Sequence, residues 1–284
     1  MTETIDFPVK QKGSQQRNVK KIFWELGTCS QTLFHILNRE FGCPREPHER
    51  ASDSLAGGIL QEGHQCGMLW GATLAVGAEA YRRSENLNQA TRIAVTSTQH
   101  LMKSFSNRVK SINCREITGC DFTSKLSTTK YLVTGKFLDC FNLAENWVPE
   151  AIEAATQGLA QVDTNQSQQA MSCASEVLKK MGASEEKTIM VAGFAGGLGL
   201  SGNACGALSA AIWMKSFDHT KEKSTTAILK NPNLKNILVK FHKETNQEIL
   251  CNKVSGQHFS NLDEHTQFLT KGGCRKLIDV LASV

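Results

Sequence analysis

The 284 residues include 40% hydrophobic and 21% charged side chains, ten cysteines and a formal charge of +5. This balance supports a buried core and excludes a disordered chain, and the length allows one large domain or two ordinary ones. Lysines and arginines are scattered, densest in "VKQKGSQQRNVKK" near the start, and no basic stripe interleaves with aromatics, so nucleic acid is not an expected partner.

The opening "MTETIDFPVKQKG" lacks the apolar stretch of a secretory signal, and a cytoplasmic location is expected. Cysteines in a reducing compartment do not form stable structural disulfides. Metal binding, redox chemistry or plain burial as small hydrophobes are the readings open to them. Residues 188–214 carry no formal charge over a length that could cross a bilayer, but six glycines with Ser201, Asn203 and Ser209 interrupt the stretch. No membrane span is expected.

In chain order, "WELGTCSQTLFHILNREFG" has helical periodicity, contains Cys29 and stops at Gly42. A glycine-rich loop with Gly57, Gly58, Gly63 and Gly67 delivers Cys66 to the start of the apolar helix "CGMLWGATLAVGAEAYRR". The amphipathic "NLNQATRIAVTSTQHLMKSFSNRV" ends just before Cys114. "LDCFNLAENWVPEAIEAATQGLA", around Cys140, reads as a closing helix in which Val148-Pro149 marks a kink or a seam.

The same series then recurs. "NQSQQAMSCASEVLKKMG" carries Cys173, and a loop with Gly196, Gly197, Gly202 and Gly206 delivers Cys205 to "CGALSAAIWMKSF". "NLKNILVKFHKETNQEI" ends before Cys251, and Cys274 opens "CRKLIDVLASV". "SLAGGILQEGHQCGMLWGA" matches "GFAGGLGLSGNACGALSAA", and "INCREITGCDF" matches "ILCNKVSGQHF" as C-x4-G-x2-F. The step from Cys29 to Gly42 is four residues longer than that from Cys173 to Gly182, close to one helical turn, which preserves the helix face. The expected fold is all-α: two tandem homologous helical units of about 140 residues, over 1–145 and 146–284, packed as an internal pseudo-dimer related by a near-twofold rotation.

Comparison of the copies separates the cysteines. Cys29, Cys66, Cys114 and Cys140 recur as Cys173, Cys205, Cys251 and Cys274, whereas Cys43 faces Ala183 and Cys120 faces Gln257 and both are set aside. His64 faces Asn203 and His258 faces Asp121, so neither histidine is taken as a ligand; Trp70 and Trp213 read as core anchors. The literal G-x-G-x-x-G from Gly197 to Gly202 is "GILQEG" in the first copy, and no alternation of strands and helices accompanies it. No nucleotide site is expected; the loop is one that presents a cysteine. The absence of C-x-x-C-H excludes a c-type haem, and no G-x-S-x-G or other hydrolase nucleophile motif occurs. Whether the chain is an enzyme stays open between an oxidoreductase and an electron carrier.

Three chemistries suit four thiols in this pattern. An iron–sulfur cluster takes four thiolates converging in a dry shell. Structural zinc takes four cysteines, usually from paired C-x2-C knuckles, which are absent here. Thiol–disulfide exchange uses a low-pKa cysteine with a resolving partner. Cys66 and Cys205, at helix starts, are expected to have depressed pKa values.

The order of the cysteines and the motifs "CGMLWG" and "CGALSA" resemble the redox-active C_GCAxxG_C_C family, whose units of about 140 residues carry four cysteines and a CGAxxG motif. The resemblance covers nearly the whole chain as two tandem copies. Met68 replaces the alanine of the motif in the first copy and Ala210 its final glycine in the second. The resemblance implies a helical redox module, with relatives in which four such cysteines hold an iron–sulfur centre. It implies no substrate and leaves the redox partner unknown. The expectation is therefore an iron–sulfur cluster bound by the eight repeated cysteines, with reversible disulfides or four-cysteine zinc as alternatives.

Overall fold

A computed structural model describes residues 18–161, 169–221 and 231–284. Among these residues the secondary structure is helical, and the only β pairing is two isolated bridges. The first unit contains α1 (Val19–Leu26), α2 (Cys29–Glu40), α3 (Glu46–Ala51), α4 (Gly67–Arg83), α5 (Leu87–Arg108), α6 (Cys114–Thr118), α7 (Lys125–Val133) and α8 (Phe137–Leu159). The second contains α9 (Cys173–Lys180), α10 (Glu185–Met190), α11 (Gly206–Lys221), α12 (Pro232–Glu244), α13 (Cys251–Val254), α14 (Leu262–Thr270) and α15 (Arg275–Ala282). Helices α2–α8 correspond in order to α9–α15. The seam expected at 145/146 falls inside α8, which runs through Pro149 to Leu159.

The helix expected to contain Cys29 is two helices. Gly27 adopts φ +83° and donates its amide to Phe23 O, ending α1, and the Thr28 side chain accepts from Gln31 N, starting α2. Cys29 is thus the first residue of a helix and not an interior one. In the second unit Ser172 caps α9 and Cys173 takes the same first position; of the upstream part of that expected helix, 169–172 is not helical and 165–168 lies outside the described residues. Helices α7 and α14 were not expected from periodicity. Helix α7 has no strong apolar stripe, the buried face of α14 sets His265 and Thr266 between Leu262 and Leu269, and each helix is started by a polar cap, Ser124 or Asn261.

Helices α4 and α11 form the centre. Trp70 and Trp213 are fully buried within one hydrophobic core that draws on both units. Each central helix packs against the other unit: α4 on α10, and α11 on α3. The approach of α4 is close, since a Cβ at Gly77 would lie 2.4 Å from Met190 O. Trp70 meets Phe194 edge-on at 4.7 Å, and Trp213 Nε1 donates to His48 O. Arg45–Glu186 and Arg92–Asp263 ion pairs flank this contact. Such reciprocity, in which α3 meets α11 and its counterpart α10 meets α4, is that of an isologous interface, here within one chain. The uncharged stretch 188–214 is divided between α10, a turn and α11, and no helix among the described residues is long and apolar enough to cross a membrane.

Candidate functional site: four cysteines in each unit

The loop before the second cysteine is a left-handed turn. Residues 57–61 all have φ between 49° and 77°, and residues 196–200 between 60° and 83°. Left-handed backbone costs an L-residue roughly 1–2 kcal/mol, yet Ile59, Leu60, Gln61, Leu198 and Leu200 adopt it. Burial of Ile59, Leu198 and Leu200 offsets that strain, since a fully buried aliphatic side chain contributes about 1.5–3 kcal/mol. Hydrogen bonds close the turn in both units: Gly63 N to Gly57 O and Gly202 N to Gly196 O, each 2.9 Å. At Gly58 the backbone also leaves no space, because a Cβ would lie 2.3 Å from His64 N. The middle glycine of the G-x-G-x-x-G, Gly199, occupies a position where the first unit places Leu60 in the same left-handed conformation. The motif is a turn shared by both units.

Immediately after the turn, an isolated antiparallel bridge holds the second and third cysteines together. Gln65 pairs with Asn113 and Ala204 with Leu250. Cys66 N donates to Ile112 O and Cys114 N to His64 O, at 2.8 and 2.6 Å; Cys205 N and Cys251 N donate equivalently to Ile249 O and Asn203 O, at 2.9 and 2.7 Å. The predicted Gly63 and Gly202 adjoin this bridge, with Arg115 packed beside Gly63 and Asn252 beside Gly202.

The other two cysteines come from opposite ends of each unit. Cys29 and Cys173 open α2 and α9, Cys140 lies one turn into α8, and Cys274 caps α15 at φ +55°. In each unit every one of the six cysteine pairs is close enough for one thiol to feel the charge of the other. The structure thus brings together all four predicted thiols of a unit. Cys66, Cys114, Cys173, Cys205 and Cys251 are buried, while Cys29, Cys140 and Cys274 are partly exposed. In the second unit the four thiols line one small apolar cavity of about 10 Å³ with Phe259, His265, Phe268 and Leu277, room for about one water.

The expected low pKa of Cys66 and Cys205 is not found. The thiol of Cys66 is raised, first by its hydrogen bond to Cys29 and then by complete burial, and burial likewise raises Cys205. Cys29 is the acidic thiol. The Cys66 hydrogen bond lowers its pKa, assisted by the amides of Gly57 and Ser30 and its own amide and opposed by burial. The cause is local: the helix start and the left-handed turn both aim N–H groups at Cys29, while the amide of Cys66 is committed to the bridge. Cys173 receives the equivalent amides of Gly196 and Ala174, but burial outweighs them and raises it. Burial also raises Cys114 and Cys251, and raises Cys140 to about 11 and Cys274 to about 12. Gly67 permits the Cys29–Cys66 contact, since a Cβ there would lie 2.6 Å from Cys29 Sγ; its counterpart Gly206 opens α11 against Phe194 O.

Several neighbours of the site were not anticipated. The Tyr131 hydroxyl lies 3.3 Å from Cys140 Sγ, while the second unit has Phe268 at that place. Phe122 packs on Tyr131 as Phe259 packs on Phe268, which gives the phenylalanine of C-x4-G-x2-F its role. Cys120, set aside as unrepeated, is buried within electrostatic reach of Cys114 and Cys140, with Ser127 Oγ donating to its sulfur at 3.6 Å. Cys43 lies apart, near Arg82. His64 is half-buried, with its pKa lowered to about 4 mainly by burial, and His258 is exposed.

Four thiols within a largely apolar shell, with backbone amides turned toward a sulfur, form a donor set that suits a soft metal centre. As the side chains stand, no group of three or more His, Cys, Asp or Glu among the described residues has metal-binding geometry. The chain matches the model of the family described as "Putative redox-active protein (C_GCAxxG_C_C)" twice, over residues 28–153 and 167–284. No curated protein and no solved structure gives a significant match.

Proposed function

The chain belongs to the C_GCAxxG_C_C family of redox-active proteins, and from that premise we propose that each unit holds an iron–sulfur centre. Cys29, Cys66, Cys114 and Cys140 are the ligands in the first unit, and Cys173, Cys205, Cys251 and Cys274 in the second. The observation that carries this reading is the mutual proximity of all four thiols, drawn from four separate elements, in both units. Exchange between two thiols would need only a pair. A bound cluster supplies one-electron transfer. The protein's part is to hold the sulfurs in a dry shell, with the bridge fixing the second and third and the amides of Gly57 and Gly196 stabilising the first.

A second reading rests on the Cys29–Cys66 hydrogen bond and the lowered pKa of Cys29. In this reading Cys29 thiolate attacks a partner disulfide, and Cys66 then displaces the mixed disulfide. The pair is oxidised to a disulfide and the partner is reduced to its dithiol.

Anaerobic purification with iron, zinc and sulfide counted per chain tests the two together. Iron with matching sulfide, roughly halved in Cys205→Ser and unchanged in Cys43→Ser, is the expected result. Zinc alone supports a structural four-cysteine site. Absence of metal, with a thiol titration in which Cys29 and Cys66 oxidise as a pair, supports exchange.

A further inference from the structure

Among the described residues, most exposed large hydrophobic side chains lie around the first site; Val239 and Leu250 are the ones in the second unit. Leu126 and Val133 of α7 are each 82% exposed, Leu132 56% and Leu138 at the start of α8 50%. Leu126 and Val133 are seven residues apart and so share one helix face, with Lys130 between them. Leu138 N donates to Gly135 O, and Gly135 N to Leu132 O, so the turn between the helices keeps these side chains together. One turn beyond Leu138, Phe141 carries Trp24, itself 70% exposed, against its edge. Tyr131, next to Leu132, reaches inward to Cys140, one of the less buried thiols. The patch is therefore the outer face of the elements that close the first site.

Among the described residues the second unit has no counterpart of this face. Asp263 stands where the first unit has Leu126 and is paired with Arg92, Thr270 stands for Val133, and Leu269, the counterpart of Leu132, is buried. The charges differ too: Lys125, Lys130 and Lys136 border the first patch on exposed positions, with Asp139 the nearest acid in the same stretch. Among the described residues no element covers the patch, and contiguous exposed apolar surface with a polar rim marks an interaction site.

We propose that this face docks a small acidic electron-transfer protein, whose apolar centre covers Leu126, Val133 and Leu138 and whose carboxylates meet Lys125, Lys130 and Lys136. This rests on the reading of the cysteines as a redox site and names its partner. The lysines argue against a second copy, because a twofold contact through this face would set the same three lysines against themselves. The size agrees with a transient partner: five apolar residues and three lysines are few beside the roughly 20–30 residues per side of a stable complex, and short-lived electron-transfer contacts are the small ones. Electrostatic steering then supplies the on-rate, with strong salt dependence.

The test uses the full chain, titrated calorimetrically at low and high salt with an acidic plant-type ferredoxin and, separately, with a basic c-type cytochrome. Ferredoxin is expected to bind and to weaken with salt, with about tenfold loss in Leu126→Ser/Val133→Ser and in Lys130→Glu. The cytochrome is expected not to bind, and Thr270→Lys on the second unit to change nothing. Lys130→Glu alters one exposed charge and keeps the test decisive if the double variant fails to fold. Absent ferredoxin binding, binding indifferent to these variants, a dimer that the variants dissociate, or sedimentation with phosphatidylserine vesicles that they abolish each overturns the proposal. Metal and thiol contents are measured on the same samples. A chain without metal that still binds ferredoxin through this face separates failure of the cluster assignment from failure of the docking site.

Discussion

Gly67 and Cys29 approach so closely that a Cβ on Gly67 would lie 2.6 Å from Cys29 Sγ. Gly67→Ala is therefore expected to push that sulfur out of the first site while the second stays intact. The measurement is metal or reactive-thiol content per chain, with about half remaining. Gly206→Ala differs: its Cβ would meet Phe194 O at 1.8 Å, a backbone atom, so the expected loss is stability of the fold by several kcal/mol. Equal content in Gly67→Ala and the unaltered chain would show that the contact does not position the thiol.

The left-handed turn makes a separate prediction. Gly58→Ala combines a positive φ with a 2.3 Å approach to His64 N, and about 3 kcal/mol or more of stability should be lost. Gly42→Ala has a similar φ, +75°, but nothing within 4 Å of the new Cβ, and should cost only about 1 kcal/mol. Urea denaturation of the two variants separates steric crowding from backbone preference. Similar losses would mean that the turn can open.

Tyr131 and Phe268 make the two sites unequal. Hydrogen bonds to ligating sulfurs shift reduction potentials, and only Cys140 has a phenol beside it. Two midpoints are expected in an anaerobic redox titration. Tyr131→Phe should bring them closer together by moving the first to more negative potential. A single unchanged midpoint in both proteins would remove Tyr131 from any tuning role.

The interface between the units should be sensitive to acid. His48 stacks on Phe217 at 4.5 Å between centroids, and burial lowers its pKa to about 4. Glu186 opposes that shift, while Lys187, Arg45 and Lys221 reinforce it. Because the folded pKa lies below the unfolded value of 6.5, the unfolded chain binds more protons between them. Stability is complete above pH 6.5 and is lost as pH falls toward 4. For this half-buried ring the loss between pH 7 and 5 should be about 1–2 kcal/mol. His48→Phe keeps the stack and should lose that part of the slope in urea titrations at the two pH values. Burial of His265 gives a similar contribution, and Glu49, lowered to about 2, adds its own loss only at lower pH.

The comparison of the two halves carried most of what the sequence could reveal: the helical class, the tandem units and the eight thiols that gather in two places. It failed where identity depends on three-dimensional ownership of a hydrogen bond. A helix start beside Cys66 looked like the source of an acidic thiol, but its amide is taken by Ile112, and Cys29 gains the free N–H groups behind Gly27 and Thr28. Ile59, Leu60 and Gln61 gave no sign of left-handed backbone, because aliphatic and amide side chains rarely adopt it; burial of Ile59 and the hydrogen bonds of Leu60 N to Ser54 O and Gln61 N to Ala56 O hold the turn. "KLSTTKYLV" showed too little apolar periodicity to be taken as a helix, so Tyr131 and the exposed face beside it were invisible. Cys120, discounted for lack of a counterpart, is close to the first set only through folding.

The reciprocal packing of α4 on α10 and α11 on α3 has a consequence for dilution. Two separate chains joined through such a contact would come apart at low concentration, and their stability would depend on how much protein is present. Carrying both halves on one polypeptide removes that dependence: each half meets its complement at a fixed local concentration, whatever the abundance of the chain. It also ends the requirement for the halves to be identical, which leaves one free to keep Phe268 and Asp263 while the other carries Tyr131 and Leu126.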